Sequence, residues 1–245
     1  LRVMGLAPGE VGFTVEDVQA EHARARGGRV KVGIGAISVE SPVRRKLGGV
    51  FDFEELQRIS AWAESEGIGR HLDGARLFIG AAYTGIPVDR WAGLVDTVYV
   101  SLWKYFNAGS GAILAGPSDL LDDLFHTRRM YGGSLMWGWV YAAVALHFLD
   151  GFEERFQRGI AVSETLFSRL EEHPAFTLRR IPGGSNVFVL DVRGTEPGAF
   201  RDRLAAAGIS MREPRDDGSI IVQVNETWAS VAGEELGRRM VAALD

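Results

Sequence analysis

The sequence predicts an α/β lobe followed by an α+β lobe, with long helices between them. Strand-like and helix-like segments alternate through the first half, at the spacing of a mainly parallel sheet with covering helices. From Pro117 helical periodicity takes over as far as about Arg158. After one more helix, short strand-like runs separated by a helix occupy the remainder. The expected organisation is therefore an α/β domain over 1–117, connecting helices over 118–160 and an α+β domain over 161–245.

Each element has its own signal. Thr14 followed by Asp17 opens a polar helix over 15–26, and Gly27-Gly28 ends it. Residues 30–39 (VKVGIGAISV) are an apolar, β-branched run, the pattern of a buried strand. Asp52 and Glu55 form a capping-box-like start, with Leu56, Ile59 and Ala63 on one helical face and Gly67 as the stop. Strands follow at 68–72, 97–102 and 111–115. Leu121, Leu124 and Phe125, then Trp139, Ala142, Ala143, Leu146 and Leu149, mark the connecting helices. A helix at about 161–172 leads into strand-like runs at 177–181, 186–192, 209–213 and 219–224. A helix near 197–207 is stopped by Gly208, and a last helix runs from about 230 to 244.

Composition narrows the function classes. The chain has 245 residues, and 27 Lys+Arg against 32 Asp+Glu leave a net charge of −5. With no basic block, nucleic acid is an unpromising partner. The absence of cysteine removes zinc-thiolate sites, iron–sulfur clusters, thiol nucleophiles and disulfides, and is compatible with a cytoplasmic location. The opening LRVMGLAPGE is neither a secretory signal nor a transit peptide, and no apolar run reaches the ~20 residues that span a bilayer. A soluble chain with no membrane partner is expected.

The motif scan is mostly negative. There is no P-loop and no G-x-S-x-G, and Gly33-x-Gly35 is followed by more strand rather than by the helix that a dinucleotide fingerprint needs. His71 and Asp73 share a strand face and could be half of a metal site, but no other ligand cluster accompanies them, and no metal is expected. The informative segments are His71-Leu72-Asp73-Gly74-Ala75-Arg76 and Ser101-Leu102-Trp103-Lys104. Each sits where a parallel strand should end, and open α/β sheets bind ligands just beyond those ends. Spacing alone leaves two readings: ordinary turn polarity with snorkelling cations, or a cofactor pocket with a nucleophilic lysine.

HLDGARLF and SLWK…GSGAILAG resemble the threonine aldolase / aromatic amino acid β-eliminating lyase family of pyridoxal 5′-phosphate (PLP) enzymes. VESPVRRKLGGVFDFEEL (39–56), RRMYGG (128–133) and WGWVYAAVALHFLDGFEERF (137–156) follow the same order, so the resemblance runs from about residue 14 to the end, thinning after 180. It implies a PLP-dependent transferase-like (fold type I) large domain with a C-terminal α+β small domain. It also assigns roles. Lys104 is the catalytic amine that carries PLP, Asp73 the partner of the pyridine nitrogen, Arg76 the cation at the ring's phenolate oxygen, and Ser101 a hydrogen-bond donor to the phosphate. Glu40 and Asn186 correspond to residues near the substrate.

The chain also departs from that pattern. The loop that holds the phosphate and the aromatic stacked on the ring come well upstream of DGAR in the family, and none of the 72 residues before Asp73 supplies them. The resemblance therefore leads to the expectation of a chain lacking its N-terminal part. Met136-Trp137 stand where threonine aldolases carry an Arg, and Ile221, Val222 and Gln223 stand where the family has a carboxylate-binding Arg. The implied activity is a PLP-dependent carbon–carbon lyase acting on a small amino acid, by aldol cleavage of a β-hydroxy-α-amino acid or by β-elimination. An aminotransferase-like enzyme and a non-catalytic remnant are the alternatives. The fold builds its sites at subunit interfaces, which implies a homodimer or homotetramer.

Overall fold

The computed structural model describes residues 2–245 and divides into two compact units, Leu1–Asp150 and Gly151–Asp245. The first unit is built on a four-stranded sheet of β1 (Ala36–Glu40), β2 (Gly69–Asp73), β3 (Thr97–Ser101) and β4 (Ala112–Ala115), in that spatial order. The first three strands are parallel and β4 is antiparallel to β3. The sheet is thus mainly parallel, as the alternation of strand and helix predicts.

The two faces of this sheet differ in chemistry, because residues alternate sides along a strand and register partners share a side. Val39, Leu72 and Val98 lie on one side and are buried. They pack with helix α2 (Phe53–Ser65), which contributes Leu56, Ile59 and Ala63, and with Val15 and Val18 of helix α1 (Val15–Gly27). Both helices start on side-chain caps. Thr14 and Asp17 form a reciprocal capping box, and the Asp52 carboxylate accepts from the Glu55 amide at 2.8 Å. The other face carries Glu40, Asp73, Tyr99 and Ser101 toward the carboxyl ends of the strands.

Two short helices, α3 (Leu77–Thr84) and α4 (Val88–Ala92), join β2 to β3, with Trp91 buried in the core. The predicted strand over 30–39 is shorter than expected. Ladder pairing begins only at Ala36, because its partner strand begins at Gly69, and residues 30–35 have no neighbouring strand. After β4 come α5 (Ser118–Leu121), α6 (Leu124–Met130) and α7 (Gly138–Leu149). In α7 only Ala145 is buried, and Trp139 and Leu146 stay exposed. Among the described residues no helix is long and apolar enough to cross a membrane.

The second unit opens with the 20-residue helix α8 (Phe152–Glu171), which runs unbroken through the position where the sequence suggests a new helix at 161. Gly159 in its middle is a packing residue rather than a break. A Cβ there would lie 2.7 Å from the Asn225 carbonyl oxygen. Next come β5 (Phe176–Arg180), β6 (Val187–Val192), α9 (Pro197–Ala206) and β7 (Ile220–Gln223), then a 3₁₀ turn over Glu226–Ser230 and α10 (Gly233–Ala242). The three strands form an antiparallel sheet in the order β5-β6-β7. Phe167 and Leu170 of α8, Phe188 and Leu190 of β6, Phe200 and Leu204 of α9, and Ile220 supply its buried core. The strand predicted at 209–213 does not form. Its residues leave α9, run irregularly and turn back into β7 through Arg215–Ser219, where the Arg215 amide donates to the Ser219 carbonyl at 2.8 Å.

Candidate active site at the ends of the parallel strands

The carboxyl ends of β1, β2 and β3 bring five of the predicted residues into one unit. Glu40 is the register partner of Asp73, and Asp73 that of Tyr99, two residues before Ser101 on the same side of the sheet. The Ser41 amide donates to the Asp73 carbonyl at 3.1 Å, so the strand ends are tied together by backbone as well. Beyond β2 the chain turns tightly at Gly74, where a Cβ would stand 3.0 Å from the Tyr99 carbonyl oxygen. That turn places Arg76 at the N-cap of α3. One carboxylate oxygen of Asp73 accepts from the Ala75 amide at 3.1 Å, which orients the acid at the mouth of the turn. Glu40 accepts from the Arg44 amide at 2.9 Å.

The electrostatics couple the same residues. Burial pushes the Lys104 ammonium below the ordinary lysine range, and the Arg76 guanidinium pushes it further, while Asp73 and Glu40 pull the other way. Arg76 is itself lowered, first by burial, with Glu40 and Asp73 opposing. Arg44 acts on both cations and belongs to the cluster, although the sequence reading gives it no role within the block 39–56. Tyr105 next to Lys104 is buried, and burial raises its phenol.

Ser101 is fully buried, and among the described residues its hydroxyl has no hydrogen-bond partner. An unsatisfied buried hydroxyl at a strand end is a costly feature that a bound acceptor would relieve. His71 lies on the same side as Asp73, and its Nδ1 is 2.8 Å from the Thr97 hydroxyl, so it is engaged within the sheet. Among the described residues no group of three or more His, Asp or Glu side chains could hold a metal ion.

Asn186 belongs to the second unit. Its side-chain NH₂ donates to the Val224 carbonyl at 2.8 Å, and its carbonyl oxygen is buried without a partner among the described residues. Of the positions where the sequence lacks an arginine, Met136 and Trp137 are exposed, and Gln223 accepts a hydrogen bond from Arg212.

Residues 5–192 match the family model described as beta-eliminating lyase. A low-specificity L-threonine aldolase of Saccharomyces cerevisiae is 30% identical over 134 residues, which cover 55% of this chain and 34% of that protein. An alanine racemase, TOXG, of Cochliobolus carbonum is 34% identical over 131 residues, covering 54% of this chain and 33% of its own. The chain thus spans about a third of the length of the curated relatives it matches. A solved structure from Listeria monocytogenes, described as an L-allo-threonine aldolase, superposes with a TM-score of 0.76 at 25% identity, over 98% of this chain and 67% of that one. A second, from Exiguobacterium and described as an aromatic amino acid beta-eliminating lyase/threonine aldolase, gives 0.74 at 23% identity, over 98% of this chain and 68% of that one, and shares the fold.

Proposed function

The chain belongs to the beta-eliminating lyase family, whose cofactor is PLP, and from that premise we propose that it is a carbon–carbon lyase cleaving a small β-hydroxy-α-amino acid to glycine and an aldehyde. The observation that carries the reading is the grouping of Asp73, Arg76, Ser101 and Lys104 beyond the carboxyl ends of adjacent parallel strands, with the Ser101 hydroxyl buried and unpartnered.

The donor set fits PLP in kind: a carboxylate for a protonated ring nitrogen, a guanidinium for a phenolate, a hydroxyl donor for a phosphate and an amine for an aldehyde. When bound, PLP supplies an electron sink for the pair left on Cα when the Cα–Cβ bond breaks. Asp73 would keep that sink effective by holding the nitrogen's proton. Arg76 would hold the phenolate oxygen, and Ser101 would orient the phosphate. Lys104 would anchor the cofactor, and its amine is the group on this chain that would return a proton to Cα. A lowered proton affinity suits both tasks, because only the neutral amine is a nucleophile or a base. Cleavage also requires loss of the β-hydroxyl proton, and glycine forms when Cα gains one. Glu40 helps to hold the cationic groups in place, and Asn186 is assigned to the substrate side.

We include in the same proposal a homodimer or homotetramer, supported by the exposed Trp137 and Trp139, and a cytoplasmic location, supported by the absence of cysteine. Light scattering that returns a monomer at micromolar concentration overturns the first.

Titration with PLP tests the site. The expected result is a visible absorption band that is absent in Lys104→Ala, with L-threonine or L-allo-threonine then yielding glycine and aldehyde. No band in the wild type sinks the reading. A keto acid product replaces the lyase with an aminotransferase.

A further inference from the structure

The second unit contains a cavity of about 490 Å³, within the range of small-molecule sites, that the proposed chemistry does not use. It lies along the open edge of β7, where the predicted fourth strand fails to form. The hairpin that should zip residues 209–213 onto β7 closes only at its turn, through the Arg215–Ser219 bond. Beyond the turn the segment is joined to β7 by a side-chain bond from the Arg212 guanidinium to the Gln223 side-chain carbonyl oxygen at 2.5 Å. The space between is walled by Phe167, Leu170, Met211, Val222 and Leu236.

Arg212 is the feature that gives this cavity a chemistry. Among the described residues no carboxylate lies within ion-pair range of it. Of the acids close to it in sequence, Glu213 pairs with Arg201 and Asp217 accepts from Ser219. Of the two arginines lining the cavity, Arg239 pairs with Glu235, whereas Arg212 has, among the described residues, only a neutral amide as partner; a planar guanidinium is suited to hold a carboxylate through two parallel bonds. We propose that this cavity is a second binding site, independent of Lys104, for a monocarboxylate bearing an apolar chain. The carboxylate would meet Arg212, and the chain would lie between β7 and α8.

The test is calorimetric titration of the whole chain with octanoate, and with 1-octanol as a neutral probe of the same length. We expect one octanoate site, with octanol weaker by about tenfold or more, the scale of a hydrogen bond to a charged group. Arg212→Gln should bring octanoate to the octanol level, and Met211→Trp, which fills the cavity, should abolish both. Lys104→Ala should leave octanoate binding unchanged, so this site can fail or stand separately from the PLP reading. Absence of octanoate binding overturns the proposal. So does equal binding of octanol, an unchanged affinity in Arg212→Gln, a loss of octanoate binding in Lys104→Ala, or octanoate binding that survives in Met211→Trp. Arg212 is exposed, so its variant is expected to fold even if the tryptophan variant does not.

Discussion

Ser101→Ala should move stability and cofactor affinity in opposite directions. In the structure the serine is fully buried and its hydroxyl has no partner. Leaving such a group unsatisfied costs roughly 1–3 kcal/mol, and alanine retains the Cβ while removing only the polar atom. The backbone pairing of position 101 with Ala112 is unaffected. Without cofactor, the variant is therefore expected to gain about 1 kcal/mol, the low end, because the vacated volume is small. For a chain of this size that raises the melting temperature by about 2–4 °C. With PLP the sign reverses. A hydrogen bond to a charged oxygen is worth about 1.5–3 kcal/mol, so the dissociation constant should rise by at least about tenfold. Thermal melts of both proteins, with and without PLP, together with a spectroscopic titration, measure both effects. A variant that melts lower without cofactor refutes the unsatisfied hydroxyl. An unchanged PLP affinity refutes its role as a phosphate donor.

Two further outcomes follow from the charged groups. Arg76→Gln removes a cation that helps to depress Lys104, so the lysine should regain protons and the pH profile of PLP uptake should shift toward higher pH; a shift the other way contradicts the coupling. Asp96 is held below the ordinary carboxyl value of 3.8, chiefly by hydrogen bonds from the Arg70 guanidinium, one of them at 2.7 Å. Because its folded value is depressed, its contribution is complete above the unfolded carboxyl's range and disappears as pH falls through the folded value. The Asp96 side chain is 36% exposed, so Asp96→Asn should cost no more than about 1 kcal/mol at pH 7 and nothing at low pH, as measured by urea denaturation at several pH values.

The parts of the fold that could be read from sequence are those in which local pattern and tertiary setting agree. β2 and β3 are short runs ended by chemistry that a strand end accommodates, and α2 has a cap, one apolar face and a glycine stop. The polar residues of DGAR and SLWK follow directly on those strand ends, so their grouping was legible once the strands were parallel. α3 was less so. Leu77, Ile79 and Gly80 are all buried in a helix that is apolar around most of its circumference, so it has no periodic stripe to read. The break expected between about 158 and 161 does not occur, and Gly159 there is packed against a carbonyl 66 positions later.

Residues 209–213 show what periodicity leaves out. Ile209 and Met211 are half-buried between exposed neighbours, which is the alternation of a strand, yet no ladder forms. Strand propensity reports a fit to a half-buried pleated surface, and two different environments can supply one. In this unit the apolar side chains face α8 and α10 across a cavity instead of completing the sheet. A ligand in the cavity would hold the segment off β7, and a segment zipped onto β7 would leave no room for one. A ligand that binds only the open form stabilises it by mass action. The missed strand and the proposed carboxylate site are thus two consequences of one physical fact, that Arg212 and Gln223 join the hairpin by side chains where backbone pairing was expected.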